Sequence, residues 1–354
     1  MSSYGRFKIP NILILLVAVI GIASVDTAEA QNNLYPVNVD PNQFHPGYYA
    51  MIGDWNEIPI DILLSADFVG VKILYLWRTM EPSPNNYDFS SIEEDLARLE
   101  AYDKRLWIQI EYTQWNSNVQ PNTPDYMWSD PTYGGDPRFF GNYQRSVQAG
   151  GWYPMFWNSK VRNQLNSLVS ALGERFNSEP YVEGIVIGET SASVPDGYEC
   201  GDFLSAFQEV MLTAKNAFIR KSVLQMVNFA CFDLPDYIRW LVNRGIGLGT
   251  PDTFNFKVYL TQTIYPLMFE NRYSVPMGPD VQWDNYTRNN MSVREIRDFA
   301  IANMDPWYLF WQVRQPYFDD EVLRAVFARP LPAAERFYAG YPPAKRPKPP
   351  VLLD

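Results

Sequence analysis

The residues best placed for chemistry lie in residues 182–191, where a short apolar run (Ile185, Val186, Ile187) ends on Gly188, Glu189 and Thr190. A carboxylate at the tip of a buried strand is costly to desolvate. In a parallel α/β barrel the C-terminal strand ends carry the active site, so Glu189 reads as a general acid. The structural alternative is a glutamate that caps the next helix or pairs with an arginine. Strand alternation adds candidates. Over Arg105–Glu111, Trp107, Gln109 and Glu111 share one face, which points Glu111 inward at the same end as Glu189. Asp280, Gln282 and Asp284 share a face of a seventh strand, Asn228 closes a fifth, and an eighth supplies Trp311 and Gln312. The single histidine, His45, excludes a His-cluster metal site and leaves little room for a Ser/His/Asp triad. His45, between Phe44 and Pro46, reads as a hydrogen-bonded structural residue. No metal and no cofactor are expected, and catalysis would run on carboxylates, tyrosines or amides.

Positioning such groups takes a regular scaffold. Short apolar runs predict strands at 47–52, 68–76, 105–111, 183–189, 223–228, 245–248, 275–282 and 308–312. Amphipathic stretches between them predict helices, clearest at 91–102, 158–176, 203–221, 235–243 and 293–303. Ser90 followed by Glu93 has the form of a capping box. Eight strands with intervening helices make an α/β chain, a (β/α)8 TIM barrel. The segment 112–157, after the third strand, breaks the rhythm: it is long and carries Trp115, Tyr126, Trp128, Tyr133, Phe139, Phe140, Tyr143, Trp152, Tyr153, Phe156 and Trp157. A loop of that length is usually functional. Exposed aromatic faces stack on the apolar C–H face of a sugar, although each ring taken singly reads equally as local core.

Residues 1–30 have the form of a secretory signal peptide. Arg6 and Lys8 precede an apolar run at 12–23, and Ala28, Glu29 and Ala30 form a small-x-small cleavage site. That run is short for a bilayer span, and no comparable run follows it, so no integral membrane segment is expected after cleavage. An uncleaved anchor is the alternative. The barrel domain then covers 31–330, and 331–354 is a Pro-rich tail, with Pro342, Pro343, Pro347, Pro349 and Pro350. The location implied is secreted or periplasmic, where Cys200 and Cys231, in neighbouring loops, could pair; two free thiols fit nearly as well. The net charge of −11 is unchanged when Arg6, Lys8, Asp26 and Glu29 are removed with the leader. Such a chain repels phosphate backbones and anionic lipids, which argues against nucleic acid and membrane-surface partners and favours a neutral or cationic substrate. Asn285 and Asn290 head N-x-T and N-x-S sequons. Oligomeric state is not legible.

Trp77, Glu81, Pro82, Tyr87, Asp88, Phe89 and Ser90 spell W-x-x-x-E-P-x-x-x-x-Y-D-F-S after the second strand. This resembles TIM-barrel glycoside hydrolases of the β-galactosidase-like and cellulase-like groups, over nearly the whole mature chain. The resemblance implies a retaining glycosidase fold with an acid/base glutamate ending strand four, a nucleophilic glutamate ending strand seven and a tryptophan ending strand eight. Glu189 and Trp311 match the first and third. Two positions depart from the pattern: Gly188 stands where an asparagine usually precedes the acid, and Gln282 where the nucleophile is expected. Glu189 would then protonate a glycosidic oxygen with Asp280, Asp284 or Glu111 as second acid. Arg78, Tyr112, Asn228 and Gln282 would hold hydroxyls, and Trp115 and Trp311 would stack on the sugar. The alternatives are a barrel that binds carbohydrate without cleaving it, for which Gln282 argues, and a polysaccharide lyase or transglycosylase.

Overall fold

The computed structural model describes residues 43–53, 58–116, 118–133, 151–191, 199–327 and 329–340. The signal peptide expected at 1–30 lies outside the described residues, as do Phe139, Phe140 and Tyr143 of the aromatic segment. Eight parallel strands close into a barrel in chain order: β1 (Gly47–Gly53), β2 (Phe68–Leu76), β3 (Arg105–Glu111), β4 (Val182–Ile187), β5 (Ser222–Met226), β6 (Gly247–Thr250), β7 (Met277–Val281) and β8 (Tyr308–Gln312). The larger helices outside it are α1 (Ser90–Glu100), α2 (Ser159–Phe176), α3 (Cys200–Ala217), α4 (Leu234–Val242), α5 (Trp283–Arg288), α6 (Val293–Met304) and α7 (Pro332–Gly340). The strands are buried on both faces, which is why they read as continuous apolar runs rather than alternating ones.

Where the strands differ from the sequence expectation, the reason is local. β4 and β5 stop short of Glu189 and Asn228. The Gly188 carbonyl accepts from Gln225 Nε2 at 2.5 Å instead of continuing a ladder, and Thr190 N donates to Met226 O at 3.1 Å. β6 begins later than expected because Gly245, at φ +67°, closes the turn after α4. Its end is therefore Thr250, and Asp252 follows it. The capping box expected at Ser90 and Glu93 does not form. Asp88 accepts from Ser90 N at 3.0 Å, and Glu93 instead pairs with Arg175 of α2 at 2.7 Å. A capping box does form at α6, where Glu295 accepts from Ser292 N at 2.8 Å.

The barrel interior is a packed core with a polar column through it. At its N-terminal end Glu183 of β4 is fully buried, and it accepts from His45 Nδ1 at 2.7 Å, His45 N at 2.6 Å and Tyr308 OH at 2.5 Å. This gives His45 the structural role expected of it. Above it the Trp107 ring meets Tyr308 and Phe310 edge-on, at 4.8 and 5.7 Å. Gly184 of β4 leaves the space that the Trp107 ring fills. Higher still, Lys72 Nζ stands 4.5 Å from the Phe310 ring centroid and 2.5 Å from Asp280 Oδ1.

The chain beyond Pro330 is not a surface tail throughout. Residues 332–340 form α7, whose Ala333, Ala334 and Phe337 are buried, Phe337 packing edge-on to Phe44 at 4.9 Å. Three apolar residues at helical spacing supply the stripe that the proline content obscures. Residues 341–354 lie outside the described residues. Among the described residues no helix is long and apolar enough to cross a membrane.

Candidate active site

A cavity of about 400 Å³ opens at the C-terminal ends of the strands, lined by Trp115, Glu189, Asn228, Phe229, Pro251, Asp252, Phe254, Lys257, Tyr259, Gln282, Trp283, Asp284 and Arg288. Glu189 enters it from the loop after β4 and Asn228 from the loop after β5. The two loops are stitched together: Asn228 N donates to Thr190 Oγ1 at 3.0 Å, and Thr190 Oγ1 donates to Asn228 O at 3.1 Å. The disulfide Cys200–Cys231 ties the start of α3 to the loop after β5. The pairing left open by the sequence is thus formed.

Glu189 has one oxygen engaged and one not. Asn228 Nδ2 and Ser191 Oγ both donate to Oε2, at 2.8 and 2.9 Å, and Oε1 accepts no bond among the described residues. Two donors on Oε2 favour it as the carbonyl-like oxygen and leave Oε1 to carry a proton. Burial pushes the carboxyl up to about 8, against the bonds from Asn228 and Ser191, with Asp252 and Glu111 adding repulsion. A neutral carboxylic acid facing a cavity is a proton donor at neutral pH.

Asp252 is a further carboxyl of the cavity, beside Glu189 and Asp284, and sequence reasoning missed it. Placing the sixth strand at 245–248 put its end too early; with the end at Thr250, Asp252 stands at a strand tip as Glu189 does. Burial raises its pKa to about 6, and Asn285 Nδ2 donates to it at 3.1 Å. Asn285 is itself fully buried, its Oδ1 accepting from Gln282 N at 2.8 Å and Thr253 N at 3.0 Å. The Asn285 sequon therefore has no room for a glycan in this fold.

Of the residues singled out in the sequence, Glu189, Asp284, Trp115, Asn228 and Gln282 line the cavity. Asp284 also pairs with Arg288 at 3.1 Å. Gln282 precedes α5 rather than ending a strand. The remaining candidates take other positions. Glu111 is held by Gln109 Nε2 at 3.2 Å and Thr113 N at 3.0 Å, and burial raises it to about 7. It is not among the lining residues, although its charge reaches Glu189. Asp280 lies lower in the barrel, where burial raises its carboxyl to about 6 and lowers the Lys72 ammonium that faces it. Lys72 was also missed; a lysine on the inward parity of the apolar strand β2, between Gly70 and Leu74, is the signal that marks it.

Three expected sugar contacts do not line this cavity. Trp311 alternates with the inward Phe310 and Gln312, so its ring points into the helical layer, fully buried. Tyr112 is buried beneath Gly188 and meets Tyr153 and Phe156 edge-on at 5.8 and 5.0 Å, its hydroxyl donating to Glu189 O at 3.4 Å. Arg78 donates to Pro121 O at 3.0 Å and thereby braces the loop after β3. Glu81 likewise fixes its own loop, accepting from Trp77 Nε1 at 2.7 Å and Asn85 N at 3.0 Å. The aromatics 112–157 divide between the two fates expected for them: Tyr112, Tyr153 and Phe156 are core, while Trp115 is 45% exposed at the cavity.

No protein-family model matches the sequence, and no curated protein matches it. Solved structures do match in fold. The catalytic domain of a beta-amylase from Paenibacillus polymyxa superposes with a TM-score of 0.56 at 12% identity, covering 84% of this chain and 100% of that one. The beta-galactosidase of the psychrophilic Marinomonas ef1 gives 0.52 at 10% identity, over 83% of this chain and 58% of that one. The cold-adapted beta-galactosidase of Rahnella sp. R3 gives 0.55 at 12% identity, over 86% and 57%. The chain shares the (β/α)8 barrel fold of these three structures. It spans a little over half the length of those beta-galactosidases, and the likeness is one of fold. In this barrel the loop after β4 carries Glu189, and the carboxyl of β7 is Asp280, bound to Lys72.

Proposed function

We propose that this protein is a secreted glycoside hydrolase in which Glu189 protonates the glycosidic oxygen and Asp252 is the second carboxylate. The observation that carries the proposal is the Glu189 carboxyl itself: pushed up to about 8, held on Oε2 alone, and facing a cavity that a second acid shares. Asp252, at about 6, is ionised where Glu189 is still protonated. One acid and one base set apart by their surroundings is the pattern that glycoside cleavage needs. In the bond-breaking step the proton passes from Glu189 Oε1 to the leaving oxygen. The Asp252 carboxylate then either attacks the anomeric carbon or takes a proton from the water that does. Trp115 and Trp283, 45% and 46% exposed at the cavity, offer faces for sugar rings. Secretion is supported by the leader-like residues 1–30 and by the Cys200–Cys231 disulfide, which suits an oxidising compartment.

A second reading, a barrel that binds carbohydrate without cleaving it, is favoured by Gln282 and by the capture of Asp280 by Lys72. Reducing-end release from a panel of polysaccharides separates the two. A hydrolase liberates new reducing ends, whereas a binder retains the glycan and liberates none. Elimination by a lyase would instead leave an unsaturated, ultraviolet-absorbing product.

A further inference from the structure

The overall charge of −11 favours a neutral or cationic substrate, but the cavity is furnished differently. Lys257, from the loop after β6, and Arg288, from the end of α5, both line it. Their heads converge on one pair of rings. Lys257 Nζ lies 5.8 and 5.7 Å from the centroids of Phe254 and Phe256, and Arg288 Cζ lies 5.3 and 6.0 Å from the same two. The Lys257 ammonium has no ion pair or hydrogen bond among the described residues, and Arg288 has one, to Asp284 through a single nitrogen. Arg314 stands 5.7 Å over the neighbouring Trp283 ring.

Asp252 and Asp284 balance the two cations in number, but only Asp284 makes an ion pair, so the Lys257 ammonium keeps no direct partner among the described residues. Glu189 is protonated at neutral pH, Asp284 is spent on Arg288, and Asp252 is the remaining anion. A half-buried lysine and a guanidinium with free N–H donors, flanking an aromatic platform, form a receptor for an oxyanion on a sugar ring. We infer that the substrate carries an anionic substituent, a uronate carboxylate or a sulfate ester, seated between Lys257 and Arg288. This deepens the glycosidase reading and rests on the same cavity.

The test is equilibrium binding to the Glu189→Gln variant, which holds ligand without turnover. The probes are a uronate-containing oligosaccharide, its carboxyl-reduced neutral counterpart, and the same neutral oligosaccharide carrying a sulfate ester. An anionic probe is expected to bind about ten-fold or more tightly than the neutral one, the advantage shrinking with added salt. Whichever of the two shows it identifies the substituent. Adding Lys257→Met should remove the advantage of the anionic probe over the neutral one. Equal or tighter binding of the neutral sugar, or an advantage that survives Lys257→Met, overturns the inference. Its failure is separable from that of the glycosidase reading. Wild-type hydrolysis of neutral glycans with no anionic preference sinks only the inference, and anionic preference without any turnover sinks only the hydrolase.

Discussion

Asn228 Nδ2 donates to Glu189 Oε2 at 2.8 Å, so the tip of β5 holds the carboxyl at the tip of β4. Such a bond stabilises the carboxylate and pulls its pKa down against burial. In Asn228→Ala the proton is held more tightly. A hydrogen bond to a charged group is worth about 1.5–3 kcal/mol, or about one to two pH units. The alkaline limb of kcat/KM should therefore move up by about one unit or more, with kcat reduced. A limb that stays in place would mean that Asn228 does not govern the acid.

Glu189 and Asp252 together also fix the shape of the wild-type pH profile. In the proposed mechanism Asp252 acts ionised and Glu189 protonated, so kcat/KM should rise through about 6 and fall through about 8. Asp252→Asn should remove the rising limb and lower turnover by about 10²-fold or more, while Asp284→Asn keeps both limbs. A profile flat across that window contradicts the assignment.

The fold was legible in the sequence because its signal is collective. Eight apolar runs separated by amphipathic stretches admit few architectures, and β2, β3 and β8 run over the residues expected of them. The site was legible only where parity and strand ends were right. Glu189 needed nothing but the end of an unbroken apolar run, whereas Asp252 was lost because the glycine-rich β6 gives no clear terminus. Trp311 misled because it sits one residue out of phase with Phe310, a difference that composition does not reveal. Gly188 has a local cause: a Cβ there would stand 2.9 Å from the Tyr112 ring, so a larger residue would have to displace the aromatic beneath the loop.

Glu183 links the barrel floor to acid stability. Burial pushes its carboxyl up, but the charge and hydrogen bonds of His45 and the bond from Tyr308 bring it below its ordinary value of 4.5. A depressed carboxylate stabilises the fold above 4.5, and that contribution is lost as pH falls through the lower folded value. Urea midpoints should drop over that acidic range in the wild type. In Glu183→Gln the drop should be shallower, starting from a lower midpoint at neutral pH; an unchanged slope would remove Glu183 from the account.

Lys72 and Asp280 test whether the interior charges are structural. Both are fully buried, so Lys72→Met strands a carboxylate and should cost about 3–5 kcal/mol in urea denaturation. The double variant Lys72→Met with Asp280→Leu should recover most of that loss. Failure to recover would show that Asp280 has a partner besides Lys72.

The central claim is that a single proton donor, Glu189, drives cleavage of a glycosidic bond. It is tested most directly by reducing-end release, wild type against Glu189→Gln, on a glycan that both bind. The expected result is a fall in release of about 10²- to 10⁴-fold with binding and thermal stability preserved. Release at the wild-type rate by the variant, or none by the wild type on any glycan it binds, would contradict the claim.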